Sequence, residues 1–252
     1  MNEAPGRAPG RPKPARIPPG DRPTCPSDEG LSLCLFDLDE TLLPMDSDHA
    51  WGEFMVRAGW VDAAEFARRN DAFYAQYQAG ELDIYAYIAF ATTPLRARTR
   101  AEIDAAHRRF MAEVITPKMR PQALELVREH QSRGDLVALV TATNDFVTTP
   151  IAQAFGIADL LAVRLARDAG GTITGGIDGT PSYREGKVTR VQAWLAERGK
   201  TWADFERISV YSDSLNDLPL LERATDPVAT NPTPALLQIA EARGWRVLKL
   251  FD

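Results

Sequence analysis

The first sustained apolar run in the chain is Leu31-Ser32-Leu33-Cys34-Leu35-Phe36, and it gives way at once to Asp37-Leu38-Asp39-Glu40-Thr41. A short apolar stretch bounded by polar residues predicts a buried strand. The period then changes. Trp51, Phe54, Met55 and Ala58 follow the i, i+3, i+4, i+7 spacing of one helical face, with Ser47 or Asp48 expected as its cap. Asp62-Ala63-Ala64-Glu65 predicts the start of a second helix that Gly80 closes. Asp83 opens a short third helix that stops before Pro94, and Thr99-Arg100-Ala101-Glu102 opens another that runs toward Thr116-Pro117. No strand pattern interrupts residues 46–116, so this stretch is expected as a helical insertion. It holds 11 of the 21 aromatic residues, enough for a small core of its own with a few left to line a pocket.

Beyond residue 117 the two periods alternate. Helices are expected at 121–133, 146–155, 187–198, 218–223 and 235–243. Strands are expected at 136–140, 160–165, 208–211, 228–229 and 247–250, with a hairpin or extended excursion at 170–175. This alternation predicts an α/β fold with a doubly wound, mostly parallel sheet, helices on both faces, and the helical segment inserted after the first strand. The expected division is a core of residues 31–45 and 117–252, a cap of residues 46–116, and a leading segment of residues 1–30.

Composition sets that leading segment apart. It carries eight of the 18 prolines, four glycines and five basic residues, with almost nothing to bury, and is expected to be disordered or polyproline-like. It lacks the apolar stretch of a secretory signal. Pro9-Gly10-Arg11-Pro12 fits a PxxP ligand, a match that costs little in so proline-rich a stretch. A net charge of −6 argues against a nucleic-acid or anionic-membrane surface, and no apolar run reaches the ~20 residues of a membrane helix. Two cysteines, Cys25 and Cys34, make no disulfide framework, so a cytoplasmic location is expected. The sequence leaves the oligomeric state open.

The candidate chemistry lies where apolar runs end, because ligands of open parallel sheets bind beyond the carboxyl ends of the strands. Asp37 and Asp39, two apart on an extended segment, can face one centre. Two carboxylates that close need a shared proton, a cation or hydrogen-bond donors between them. The second run ends in Thr141-Ala142-Thr143-Asn144 and the third in Ser212-Asp213-Ser214-Leu215-Asn216-Asp217. Lys187 stands near the start of the helix between them. Three carboxylates, a hydroxyl and a lysine thus converge on one sheet edge, where helix starts favour an anion.

The four boxes Asp37-Leu38-Asp39-Glu40-Thr41, Leu139-Val140-Thr141-Ala142-Thr143, Glu185-Gly186-Lys187-Val188 and Tyr211–Leu221 resemble, in order and spacing, those of the haloacid dehalogenase-like hydrolases. The insertion is placed as in their phosphoserine phosphatase-like branch. The resemblance implies a Mg2+-dependent phosphatase acting on a small-molecule phosphomonoester. Asp37 would be the nucleophile that forms an aspartyl-phosphate, and Asp39 the acid and then the base. Mg2+ would be held by Asp37, Asp213 and the Asp39 carbonyl, with Asp217 behind them. Thr141, the Ala142 N–H and Lys187 would bind the transferring phosphoryl group. Asp46 falls where phosphoserine phosphatases carry a glutamate for the substrate's amino group; it could do the same or cap the next helix. Asn216 is a further candidate substrate contact. Glu40 is expected as an exposed turn acid, Arg120 as a surface residue, and His49, His107 and His130 as structural or solvated, with His49 near the site entrance.

Phosphoserine and histidinol phosphate are the substrates the branch suggests. A dehalogenase would have no use for Asp39 and the metal acids. A phosphomutase would share the whole constellation, and a receiver-type signalling domain would be about half this length with no cap and no acid two residues after its aspartate.

Overall fold

The computed structural model describes Met1 and residues 30–251, so the Pro-rich segment, Cys25 and the PxxP match fall outside the described residues. The chain runs β1 (Ser32–Phe36), α1 (Ser47–Arg57), α2 (Ala63–Ala79), α3 (Ile84–Ala91), α4 (Thr93–Arg96), α5 (Arg100–Phe110), α6 (Pro121–Ser132), β2 (Leu136–Asn144), α7 (Asp145–Ala154), β3 (Asp159–Val163), β4 (Leu165–Arg167), β5 (Ile173–Ile177), α8 (Glu185–Ala196), β6 (Arg207–Ser212), α9 (Leu218–Leu221), β7 (Asp226–Thr230), α10 (Pro234–Arg243) and β8 (Arg246–Leu248). Six strands form one sheet in the order β3-β2-β1-β6-β7-β8, every pair parallel. The order reverses between β1 and β6, which is where a crevice opens in such sheets.

β1 shows how the pleat divides the interior. Leu33 and Leu35 pack into one apolar cluster with Val191, Leu195 and Leu236, whereas Cys34 and Phe36 face another with Val127, Val147 and Tyr211. Alternation feeds two cores because helices cover both faces. The second cluster continues into the inserted helices through Trp51, whose ring lies 5.1 Å from Phe110 and 5.3 Å from Phe146 on α7. The aromatics of the insertion are therefore continuous with the main core rather than a separate one.

Most predicted helix ends hold. Asp62, Asp83 and Thr99 cap α2, α3 and α5, and Thr99 and Glu102 make a reciprocal capping box. Three local expectations differ. The cap of α1 is Asp46, extended at φ −83° and ψ 115°, whose Oδ1 accepts from the His49 N–H at 2.7 Å; Ser47 and Asp48 are already helical. β2 runs four residues further, to Asn144. The strand expected at 160–165 is two: β3 joins the main sheet, while β4 leaves it to pair antiparallel with β5. No helix of the described residues is long and apolar enough to cross a membrane.

Candidate active site

β1 delivers Asp37 to the carboxyl edge, and the Asp37 N–H donates to the Tyr211 carbonyl at 2.9 Å, extending the β1–β6 ladder past the strand. Leu38 then turns the chain back, its carbonyl accepting from the N–H groups of Leu42 at 2.8 Å and Leu43 at 3.0 Å. Glu40 sits in the left-handed region at φ +55°, and Asn231 Nδ2 donates to its carbonyl at 3.0 Å. Glu40 is half-buried, not the exposed turn acid expected, because this tight turn faces the cleft rather than solvent.

The acids are tied together by two hydroxyls and one ammonium. Thr41 Oγ1 lies 3.3 Å from Asp37 Oδ2 and 3.0 Å from Asp213 Oδ1, and it accepts from the Asp213 N–H at 3.1 Å. Lys187, 1% exposed, donates from Nζ to Asp37 Oδ1 at 2.8 Å and to Asp217 Oδ2 at 2.7 Å. Ser212 Oγ donates to the same Asp217 oxygen at 2.8 Å, while Asp217 Oδ1 is buried with no partner among the described residues. Lys187 reaches this position from the first turn of α8. There Arg184 is held at φ +52°, and Gly186 packs so closely that a Cβ would lie 2.1 Å from the Pro181 carbonyl oxygen.

Asp39 is separated from this cluster and given different partners. Its Oδ1 accepts from the Ser47 N–H and its Oδ2 from Thr143 Oγ1, both at 2.7 Å. Thr141 and Thr143 come from the end of β2, where the pairing with β3 slips between Val140 and Asn144. Such an irregularity takes residues out of the ladder and re-aims them. It leaves Thr141 buried, its Oγ1 accepting from the Thr143 N–H at 3.1 Å, with Ala142 lining the cleft. Thr143 carries as direct a contact as any expected residue. Its signal was its place two after Thr141, on the same side of an extended segment.

Charge balance follows from these contacts. Burial raises Asp37 to about 7 despite the attraction of Lys187, and burial followed by the charge of Asp46 raises Asp39 to about 7. Asp213 is pushed well above the carboxylate range by burial and then by Asp37 and Asp217. Burial pulls the Lys187 ammonium down, but Asp217 and Asp37 outweigh it and hold it above the ordinary lysine value.

No group of three or more His, Cys, Asp or Glu side chains among the described residues converges as a ready-made metal cage. A hard divalent cation of the Mg2+ kind does not need one, since it keeps several waters and takes one or two carboxylates. Asp37 and Asp213 share one Thr41 hydroxyl, the charge of Asp217 raises both, and Asp217 leaves a buried oxygen unpaired. That donor set carries more carboxylates than Lys187 can offset, and a divalent cation that Asp37 and Asp213 would hold fits it.

The remaining expected residues lie around two connected spaces between the inserted helices and the sheet edge. An outer cleft of about 690 Å3 is bordered by Glu40, Gln78, Arg184, Asp213, Asn216 and Asn231. A narrow inner cavity of about 40 Å3 lies behind it, and Asp39, Asp46, Tyr74 and Tyr77 line both. Asp46 caps α1, one of the two roles foreseen for it, and its side of the helix start lines both spaces. Asn216 Nδ2 donates to the Tyr77 carbonyl at 3.0 Å, tying the Asp213–Asp217 loop to the end of α2. His49 lines the inner cavity and pairs with Asp71 at 2.9 Å. His130 is away from the site, buried between Asp135 and the Tyr211 hydroxyl, and Arg120 is exposed.

Residues 34–222 match the model of the haloacid dehalogenase-like hydrolases. A histidinol-phosphatase of Neisseria meningitidis serogroup C is 45% identical over 217 residues, covering 86% of this chain and 98% of that protein. A solved structure of a Bordetella pertussis Tohama I protein of unknown function superposes with a TM-score of 0.83 at 50% identity, covering 88% of this chain and all of that one. A substrate-bound phosphoserine phosphatase shares the fold, with a TM-score of 0.62 at 18% identity over 88% of this chain and 94% of its own. With three-quarters of its length inside the family model, and with two paired acids, a strand-end threonine and a lysine meeting at one sheet edge, the chain belongs to the haloacid dehalogenase-like hydrolase family.

Proposed function

We propose that the chain is a Mg2+-dependent phosphatase that hydrolyses a small phosphomonoester through an aspartyl-phosphate, with histidinol phosphate as its substrate. The observation that carries this reading is the separation of roles between two neighbouring acids. Asp37 is tied to Lys187 and the metal acids, whereas Asp39, with no lysine on it, is held by a hydroxyl and an N–H and raised to about 7. A group near neutrality can both give and take a proton at working pH.

In the first half-reaction an Asp37 oxygen attacks phosphorus, the bond from phosphorus to the leaving oxygen breaks, and Asp39 gives that oxygen its proton. In the second, Asp39 takes a proton from water as the water oxygen attacks phosphorus, releasing phosphate and restoring Asp37. Lys187, Thr141 and the Ala142 N–H are assigned to the phosphoryl oxygens, where fixed donors favour the charge that develops. Asp37, Asp213 and the Asp39 carbonyl would hold Mg2+, with Asp217 behind them; when bound, it supplies Lewis-acid polarisation and offsets the crowded carboxylates. Residues 46–116 are assigned as a cap that closes over the reaction and excludes bulk water.

The relative at 45% identity that acts as a histidinol-phosphatase supports the choice of substrate, and phosphoserine is the second reading, supported by the fold alone. Phosphate release from histidinol phosphate, with and without Mg2+, tests the proposal. Turnover that persists in excess chelator, or in Asp37→Asn, would remove the mechanism.

A further inference from the structure

Three residues other than glycine hold a positive φ among the described residues: Glu40 at +55°, Arg184 at +52° and Asn231 at +46°. All three border the outer cleft, and two of them, Glu40 and Asn231, are bonded to each other. Backbone of this kind is unfavourable and persists only where surrounding contacts over-determine it. Around Asn231 those contacts are unusually complete. Its Nδ2 donates to the Glu40 carbonyl at 3.0 Å and to the Thr41 carbonyl at 3.3 Å. Its Oδ1 accepts from the N–H groups of Leu250 at 2.7 Å and Phe251 at 3.3 Å, and its own N–H donates to the Leu248 carbonyl at 2.8 Å. One side-chain amide is thus anchored to the chain beyond β8 and grips the Asp39–Thr41 turn with its other end.

The same short segment grips the second acidic loop. The Thr233 N–H donates to the Asp213 carbonyl at 2.9 Å, and Thr233 Oγ1 donates to that oxygen at 3.2 Å. Pro232, between the two, fixes its own φ and stiffens the link. The turn it holds is closed on its other side as well, where the Glu40 N–H donates to the Met45 carbonyl at 3.3 Å. That N–H shares a rigid peptide plane with the Asp39 carbonyl, so fixing Glu40 at both ends aims the Asp39 oxygen. Asp39 and Asp213, from strand ends far apart in sequence, therefore take their spacing from three consecutive residues.

We propose that Asn231 and Thr233 are positioning residues for the metal: the Asn231-Pro232-Thr233 segment sets the distance between the Asp39–Thr41 turn and Asp213, and with it the affinity for Mg2+, without ligating the ion. Mg2+ demands near-ideal octahedral geometry and penalises a loosened ligand set, whereas Ca2+ accepts more ligands at longer and more variable distances. The segment is thus a source of selectivity for the smaller ion. This rests on the Mg2+ assignment made above and adds what determines how tightly the ion is held.

The test titrates Mg2+ and Ca2+ calorimetrically into chelator-treated wild type, Asn231→Gly and Thr233→Val, each shown to be folded by circular dichroism. Glycine accepts the φ of +46° without strain, so Asn231→Gly removes the amide and leaves the backbone free to keep its course. Partners that orient metal ligands are worth about 10- to 100-fold in affinity. The Kd for Mg2+ should rise by that factor in Asn231→Gly, and by less in Thr233→Val, which keeps the N–H on Asp213. The Kd for Ca2+ should rise less than that for Mg2+ in both. Turnover of p-nitrophenyl phosphate should need correspondingly more Mg2+, with KM for the ester little changed at saturating metal. If Asn231→Gly does not fold, Thr233→Val carries the same comparison. An unchanged Mg2+ affinity in the folded variants, or an equal loss for both ions, would overturn the clamp and leave the phosphatase reading standing. A wild type that binds no Mg2+ would overturn the metal assignment as well.

Discussion

Replacing Lys187 by Met tests what allows so many acids to share one sheet edge. Methionine keeps most of the volume and loses the charge, so the packing around α8 is preserved while Asp37 and Asp217 lose a common partner at 2.8 and 2.7 Å. Lys187 and both acids are buried, and removing one member of such a set costs about 3–5 kcal/mol. For a chain of this size that corresponds to a fall in Tm of roughly 6–20 °C. The effect has a sign in pH. Asp37 stands at about 7 in the fold because burial outweighs the attraction of Lys187, and without the ammonium it moves higher. An acid raised by folding makes the fold less stable as pH climbs from its unfolded value toward its folded one. The deficit of Lys187→Met should therefore be largest above pH 7 and shrink as Asp37 takes up a proton. Thermal melts of both proteins in chelator at pH 8 and pH 5.5 measure this, with phosphate release at pH 7 alongside. The double variant Lys187→Met/Asp217→Asn should recover part of the Tm and none of the activity. A deficit of the same size at both pH values would refute the argument, because it would then come from packing and not from charge.

Other expectations can be checked with the same preparations. Asp37→Asn should lower turnover of p-nitrophenyl phosphate by at least ~1000-fold if Asp37 is the nucleophile, in a protein that circular dichroism shows to be folded. Thr143→Val removes the 2.7 Å donor from Asp39 Oδ2, a bond of about 1.5–3 kcal/mol that favours the ionised form. The alkaline limb of kcat/KM, which the proposed mechanism assigns to Asp39, should then move up by about 1–2 pH units, and an unmoved limb would remove Asp39 as the acid. Stripping Mg2+ should make the protein gain stability on acidification from pH 7.5 toward 5, since Asp37, Asp39 and Asp213 are all raised in the fold; the Mg2+-saturated protein should gain less. Gly186→Ala puts a methyl 2.1 Å from the Pro181 carbonyl oxygen, one residue before Lys187. The resulting displacement of the ammonium should cost kcat up to ~100-fold with little change in KM.

The residues that announced themselves did so through position. Asp37, Asp39, Thr141 and Asp213 each follow an apolar run, and a run that stops marks a strand end even before the strand is seen. The helices of the insertion were legible from their caps, because Asp62, Asp83 and Thr99 satisfy backbone N–H groups locally. What stayed hidden depends on contacts across the fold. Thr-Ala-Thr-Asn reads as a turn, yet β2 continues through it because β3 pairs again at Asn144. Nothing local distinguishes Asp46 from Ser47 or Asp48 as the α1 cap; the choice is made where the Asp39 carboxylate takes the Ser47 N–H. Thr143 was missed because it is a single polar residue whose partner, Asp39, lies about a hundred positions away. Glu40 looked like surface because the cleft above it is made by residues far along the chain.

β1 lies between strands made at different times, one from the middle of the chain and one from its last fifth. One edge pairs with β2, Leu33 opposite Leu136, and the other with β6, Ser32 opposite Arg207. A growing polypeptide thus holds Asp37, Asp39 and Lys187 before the strand that completes their surroundings has been made. Until residues 207–212 emerge and dock, one edge of an apolar strand stands open to any other extended chain, the condition under which strands pair wrongly. The same docking brings Asp213 and Asp217 to Thr41 and Lys187. Closing the sheet and arming the site are one event, so a truncated or stalled product is inert as a catalyst and exposed to aggregation at the same moment.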